Sequence, residues 1–395
     1  MRNLICLFAI SLFILTACKD KKNSGADDRV TVISVDLKKS EQVAMKDIIS
    51  RIEIVELENK LESYFAYPRH FQVAGGKYYL DSSSEETVLA FDADGKFLYN
   101  TASRRGNGRN EYLYLSSIHA DKEGNLSICS SSGYVKYDPS LKAVDFDKTS
   151  LSSFPRFISD DIIAYVMETT DDSLTMGFYS TALHKAVGRS SVPIEIRETP
   201  MFAIRRMHTP VANDKEVLYM RNLMGDFNIY RLDPKEKTIT AAYRYEADNM
   251  LRESYQDEFL EYMGAQKNDE LNRILADHTS LWDLFINNNF MLAILGGINL
   301  LDQNITNNLH ISFYSPKDGK QRLIDTRMKG GKELYLIDWM DDEIIYTLME
   351  ARQMKDIDKM IDMDLLDDHS KEILGRLNDD SNAYVIKYYL RDDIL

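Results

Sequence analysis

The chain has 395 residues, and 48 Lys and Arg stand against 63 Asp and Glu, so its formal net charge is −15. This charge argues against a nucleic-acid binder, which needs a cationic surface to neutralise phosphates. Three cysteines are too few for a disulfide-stapled scaffold. A composition of 44% apolar and 28% charged residues is that of a globular protein, and the length allows two or three ordinary domains or one large repeat architecture.

The first 17 residues have the pattern of a secretory signal. Arg2 supplies a positive charge, and the apolar stretch 4–15 is shorter than the ~20 residues that span a bilayer. The stretch is followed by Thr-Ala-Cys, in which the cysteine is Cys18. This ending resembles the lipobox of bacterial lipoproteins. The resemblance implies cleavage before Cys18, acylation of Cys18 with palmitate-like chains, and attachment to a membrane.

Residues 18–29 are polar and lack apolar periodicity, so we expect a lipidated flexible tether. Lys19 follows the cysteine, and in the lipoprotein pattern a residue other than Asp at this place favours the outer membrane. We therefore expect the mature chain to be anchored there, on the periplasmic or the cell-surface side. The alternative is a plain signal peptide with a chance cysteine.

Short strands rich in Val, Ile, Tyr and Phe dominate residues 30–395, with Asp, Gly and Asn turns between them. One unit recurs, in which an apolar strand and a turn residue are followed by a second strand. Its copies end at Asp92, Asp138, Ser180, Asp233, Ser315 and Arg391. The first three intervals are close to the ~40–50 residues of a four-stranded propeller blade. The pattern predicts an all-β protein, a six-bladed β-propeller.

The two longer intervals each contain a helical pattern. Apolar residues recur at helical spacing within 251–275 and again within 354–377. We therefore predict two α-helical insertions, at about 247–284 and 350–377, and place Trp282 in the first. An early strand, either 30–37 or 52–57, is expected to pair with the C-terminal strands and close the ring.

Residues 99–138 carry the most specific pattern. A Gly-rich stretch at 104–112 ends in Glu-Tyr, Asp-x-x-Gly-Asn follows at 121–125, and a strand ends at Asp138. This pattern resembles an NHL-type repeat. Together with the lipobox, it makes the chain resemble the six-bladed β-propeller lipoproteins of Gram-negative bacteria. The resemblance implies a fold and a place in the envelope, and that family has no single activity to transfer.

Three other motifs have structural interpretations. Gly106-x-Gly108 lacks the third glycine and the following helix of a dinucleotide loop, so both glycines are predicted to have positive φ, with Glu111 accepting from loop N–H groups. The segment 92–95 resembles the start of a calcium loop, but no closing Glu follows, and we predict a hairpin turn. Cys129 lies in an apolar strand and is predicted to be buried and unreactive.

The sequence indicates no catalytic residue, metal or cofactor. No HExxH, GxSxG or CxxC motif occurs, and the seven histidines are scattered without metal-ligand spacing.

Arginine recurs where the innermost strands of three blades are predicted to begin. These candidates are Arg69 with His70, Arg156, and Arg205 and Arg206 with His208. Because innermost strands line a propeller's channel, the arginines would converge as a fork-donor site for a carboxylate, phosphate or sulfate. His119 and Asp338-Trp339, in corresponding parts of other blades, would add hydrogen bonds and a stacking face. The alternative is that the arginines pair with channel carboxylates and neutralise the ring interior.

The sequence thus favours a binding module at the outer membrane. It would hold an anionic small molecule, glycan or peptide at the channel, or a protein partner at the first helical insertion, whose apolar stripe could instead pack on the propeller flank. The competing interpretation is a lactonase-like or glycan-cleaving hydrolase or lyase. That enzyme would need three or four Asp, Asn, Glu or His side chains converging on one point.

Overall fold

The fold is known from a computed structural model. It describes residues 30–65, 68, 70–82, 85–130, 132–151, 153–170, 173–193, 218–221, 227–250, 258, 261, 267–297, 309–334, 336–350, 357–377 and 381–395. The predicted signal 1–17, the tether 18–29 and Cys18 lie outside these residues. None of the helices in the described parts combines the length and the apolar character that crossing a membrane requires.

Six four-stranded sheets form the blades of a β-propeller. Two strands precede the first blade, β1 (Thr31–Val35) and β2 (Ile49–Glu56). Blade 1 contains β3 (Phe71–Ala74), β4 (Lys77–Ser82), β5 (Thr87–Phe91) and β6 (Phe97–Asn100). Blade 2 contains β7 (Ser117–Ala120), β8 (Leu126–Ser130), β9 (Gly133–Tyr137) and β10 (Ala143–Asp147). Blade 3 contains β11 (Ser153–Phe157), β12 (Ile162–Thr169), β13 (Ser173–Ser180) and β14 (Lys185–Pro193).

The remaining blades include two strands from the N-terminus. Blade 4 contains β15 (Leu218–Arg221), β16 (Asn228–Asp233) and β17 (Thr238–Ala247), with β1 on its outer edge. Blade 5 contains β18 (Ser280–Ile286), β19 (Met291–Gly296), β20 (Leu309–Tyr314) and β21 (Gln321–Asp325). Blade 6 contains β22 (Trp339–Met340), β23 (Ile344–Glu350) and β24 (Ala383–Leu390), with β2 on its outer edge.

The first strands of blades 5, 6, 1, 2 and 3 contact one another in that order, so they surround the centre of the ring. Six clusters of buried apolar side chains lie between the blades, one at each interface. A single blade would expose both faces of its sheet, whereas neighbours in a ring bury both. The predicted six-bladed propeller is confirmed, and each of the six predicted repeats lies in a different blade.

The turns after the repeated strands have a common basis. The Asp92 carboxylate accepts hydrogen bonds from the N–H groups of Asp94 (3.0 Å) and Lys96 (2.9 Å). Asp138 accepts from Ser140 (2.9 Å) and Lys142 (3.0 Å) in the same way. The segment 92–95 is therefore a hairpin turn, as predicted.

The inter-blade loop at 104–112 corrects one expectation. Gly106 and Gly108 are not among the residues with positive φ. They are needed for space, because a Cβ at either position would lie less than 3 Å from the Glu111 carboxylate. The predicted role of Glu111 is confirmed, since its carboxylate accepts from the Gly108 N–H at 2.8 Å.

Helices are few and short in the described parts. Helix α1 (Asn268–Asp277) precedes blade 5, and α2 (Ile357–Met360) and α3 (Asp368–Arg376) lie between β23 and β24. The predicted first insertion, 247–284, is too long at its C-terminal end. Strand β18 begins at Ser280, so Trp282 belongs to the innermost strand of blade 5, where alternate residues face the core.

The N-terminal segment 31–63 is called here the strap, because it runs along the outer edges of four blades. Strand β1 pairs with β17 in parallel, and Glu41 then forms a parallel bridge to β21 of blade 5. Strand β2 pairs antiparallel with β24, and residues 61–63 contact β6 of blade 1. Of the two expected closing strands, the second closes the ring, while 31–35 adds to blade 4.

Candidate functional site

His70 and Asp81 form a pair at the inner edge of blade 1. In the β3–β4 hairpin, Phe71 lies opposite Leu80, which brings the preceding His70 opposite Asp81. The Asp81 carboxylate accepts from the His70 N–H at 2.8 Å, and its second oxygen lies 2.9 Å from the imidazole Nδ1. Asp81 is 0% exposed, so His70 covers a buried carboxylate.

Arg156 belongs to β11, the innermost strand of blade 3, as predicted. Its side chain is half-buried, and desolvation lowers its pKa to about 10, while the negative charge of Asp81 acts in the opposite direction. Arg156 therefore stays protonated at neutral pH. Arg156 lies on blade 3 and Asp81 on blade 1. The first strand of blade 2 contacts blade 3 directly, since its Ser117 hydroxyl donates to the carbonyl of Pro155 at 2.9 Å.

His119 lies in β7, the innermost strand of blade 2, and contacts residues of blade 3. Its Nε2 is 2.9 Å from the carboxylate of Asp160, and its ring stacks on Phe157 with the centroids 5.6 Å apart. The hydrogen bond to His119 lowers the pKa of the Asp160 carboxyl. The described geometry thus explains His119 by packing and pairing with blade 3.

Trp339 lies in β22, the innermost strand of blade 6, where it packs against the apolar cluster between blades 6 and 1. The preceding Asp338 accepts from the Leu348 N–H at 2.7 Å. The Asp338 side chain is exposed, but desolvation by the surrounding blades raises its pKa to about 6, and the charge of Asp283, on the innermost strand of blade 5, acts in the same direction. The wall made by blades 5 and 6 is therefore acidic.

The predicted arginine cluster stays a prediction, because the structure describes only one of its arginines, Arg156. The candidates Arg69, Arg205, Arg206 and His208 lie outside the described residues. The structure pairs His70 with Asp81, and the charge of Asp81 also acts on Arg156. Sequence reasoning missed Asp81, although it and His70 are equidistant from the Gly75-Gly76 turn, a symmetry that indicates cross-strand neighbours in a hairpin.

The Cys129 thiol is not available as a nucleophile at the channel. It is 0% exposed in β8, and burial raises the pKa of its thiol. The predicted buried strand residue is confirmed. In the part of the chain that the structure describes, no three His, Cys, Asp or Glu side chains are grouped so as to hold a metal ion.

Comparison with known proteins gives one family. A family profile described as a 6-bladed beta-propeller, DUF5128, matches residues 21–290. No protein with a curated description is similar to the chain.

Two solved structures are similar to the chain at low identity. A Bacteroides fragilis protein described as exported has a TM-score of 0.65 and 14% identity, covering 92% of this chain and 100% of its own. A member of the DUF4221 family from Bacteroides vulgatus has a TM-score of 0.49 and 11% identity, covering 87% of this chain and 98% of its own.

Proposed function

Because the chain belongs to the DUF5128 family of 6-bladed beta-propellers, we propose that it is an exported, lipid-anchored binding module that holds a small anionic ligand at the channel. The signal-like residues 1–17 and Cys18 support export and anchoring. The description of the Bacteroides fragilis structure as exported agrees with that placement.

The proposal that the ligand is an anion depends on Arg156. It presents a guanidinium on an innermost strand, and a desolvated guanidinium binds carboxylates and phosphates through two parallel hydrogen bonds. The Asp81–His70 pair lies at the inner edge of blade 1, two blades away from Arg156. The acidic wall around Asp338 repels anions and so directs an anionic group toward Arg156.

The test is a binding screen with anionic peptides, uronate or sulfated glycans and organic phosphates, followed by titration calorimetry on each hit. Arg156→Ala is expected to weaken binding about tenfold or more, and Arg156→Lys to recover part of it, because lysine keeps the charge but loses the fork. We expect Arg69→Ala to weaken binding as well.

A matched control is Arg231→Ala, since Arg231 pairs with Asp233 at 3.3 Å and its side chain is 47% exposed. The control should bind as the wild type does. If Arg156→Ala leaves the affinity for every hit unchanged, the channel site is wrong. Anchoring is tested separately, since Cys18→Ala should release the chain from the membrane fraction.

The enzyme alternative stays a prediction. Among the described residues, no three His, Cys, Asp or Glu side chains are grouped so as to hold a metal ion, and so no metal-assisted site supports it there.

A further inference from the structure

The outer edge of blade 4 ends in an exposed strand without charge. In β1 (TVISV), Thr31, Val32 and Ser34 are exposed, while Ile33 and Val35 are buried in the cluster between blades 4 and 5. Strand β1 pairs with β17 on one side, and no other described strand pairs with it. Since alternate residues of an edge strand direct N–H and C=O groups outward, such an edge can accept another strand.

The other described outer strands are protected. Residues 61–63 cover β6, and Glu41 covers β21. Charged side chains lie along the three remaining outer strands, β2, β10 and β14: Arg51, Glu53, Glu56, Asp145, Asp147, Lys185 and Arg189. Charges and covering segments are the usual devices that stop edge-to-edge pairing. Strand β1 carries no charged side chain, and no described segment covers its outer edge.

The sequence of β1 is also complementary to itself. Antiparallel pairing about Ile33 places Ile33 opposite its copy, Val32 opposite Ser34, and Thr31 opposite Val35. Every cross-strand pair then joins uncharged side chains, most of them β-branched, which favour strands. The chain has a formal net charge of −15, so an uncharged edge is a place where two copies approach with less repulsion than at a charged one.

We propose that β1 is the pairing edge for a second copy of this chain, with the two β1 strands antiparallel and centred on Ile33. The product is a two-fold dimer in which the blade 4 sheets of both copies continue through one another. Strand pairing alone buries little surface, so the dimer is weak in dilute solution and is best detected by crosslinking.

The test uses the full chain carrying Val32→Cys and Ser34→Cys together, under mild oxidation. In the proposed register the thiol introduced at position 32 of each copy faces the thiol introduced at position 34 of the other, across the two-fold axis. A covalent dimer is therefore expected, about fivefold more than with Ser34→Cys alone. The wild type measures background from its own cysteines. Val144→Cys is the matched control, because Val144 is 53% exposed on the outer strand of blade 2.

A second variant keeps the proposal falsifiable without a crosslink. Val32 is 49% exposed, so Val32→Lys should fold normally and abolish the dimer in sedimentation velocity at high concentration, while Val144→Lys should leave it unchanged. The proposal is overturned if the double-cysteine variant gives no more dimer than the Val144→Cys control, or if Val32→Lys dimerises as the wild type does. A covalent product of any other mass would equally overturn the second copy as occupant.

Discussion

Turn residues in this propeller hold neighbouring blades together. Gly95 ends the Asp92 turn with φ of 80°, and its carbonyl accepts from the Glu58 N–H at 2.8 Å. A Cβ at Gly95 would lie 2.1 Å from the Glu56 carbonyl oxygen. The turn of blade 1 therefore meets the strap so closely that only glycine fits.

We expect Gly95→Ala to lower the free energy of unfolding by about 3 kcal/mol, because the left-handed conformation and the clash with Glu56 both oppose it. Gly319→Ala is the control, since Gly319 has φ of 72° in the equivalent turn of blade 5 with nothing within 4 Å of its Cβ position. It should cost about 1 kcal/mol. Denaturant titration measures both, and equal losses would show that the contact with Glu56 is not limiting.

At the scale of elements, ring closure depends on β2. Glu53 on β2 lies 3.0 Å from the Lys387 ammonium and 2.6 Å from the Tyr389 hydroxyl, both on β24. Burial acts to raise the pKa of Glu53, but the hydrogen bonds from Tyr389 and Lys387 outweigh it and leave that pKa lowered. The strand that closes the ring is thus tied to the last strand of the chain by charge as well as by backbone hydrogen bonds.

Glu53→Ala is expected to cost about 2 kcal/mol at pH 7, because it leaves a Lys387 side chain that is only 12% exposed without its carboxylate. Since the Glu53 pKa is lower in the fold than in the unfolded chain, its contribution is present above about pH 4.5 and is lost as the pH falls through the folded value. The gap in melting temperature between variant and wild type should therefore narrow in acid.

The control lies on the same strand. Glu56 pairs with Arg376 at 2.9 Å, and the Arg376 side chain is 53% exposed. We expect Glu56→Ala to cost about 0.5 kcal/mol or less, because water screens an exposed pair. A Glu53→Ala cost no greater than this would contradict the closure role.

The whole ring is bridged from outside by the strap, which touches blades 4, 5, 6 and 1 in turn. Backbone hydrogen bonds at Glu41 join it to blade 5, with the Glu41 N–H donating to the Leu323 carbonyl at 2.9 Å and the Asp325 N–H donating to the Glu41 carbonyl at 3.0 Å. The strap buries its own side chains Ile33, Val35 and Val43 against the blades. The strap therefore connects blades 4 and 5 to the closing strand β2 of blade 6.

Replacing residues 31–44 by a Gly/Ser linker of equal length should lower the free energy of unfolding by about 5 kcal/mol, from the loss of three buried apolar side chains at ~1.5–3 kcal/mol each. Hydrogen exchange should rise in β17 and β21, whose edges become uncovered, and stay slow in β24, which lies between β23 and β2. The same linker at 19–29 is the control. Unchanged exchange in β17 would contradict the bridging role.

Contacts of the site between residues close in the sequence could be predicted, and contacts between distant residues could not. The His70–Asp81 pair lies within one hairpin, so its register follows from the Gly75-Gly76 turn. The charge interaction of Asp81 with Arg156 acts between blades 1 and 3 and depends on how the first strands meet at the centre. No periodicity in the chain encodes that meeting, which is why the sequence does not predict this interaction.

The amino-acid sequence determined the features that local interactions decide. Six repeats of strand and turn, the hairpin at 92–95 and the burial of Cys129 follow from side-chain period and turn chemistry within a few residues. Tertiary structure alone decided which N-terminal strand closes the ring, because 31–35 and 49–56 both bury apolar side chains and each can pair with a sheet edge. It also decided why glycine is needed at 106 and 108. The Glu111 carboxylate occupies the space that a Cβ would take, and this follows from the folded loop and from no local backbone preference.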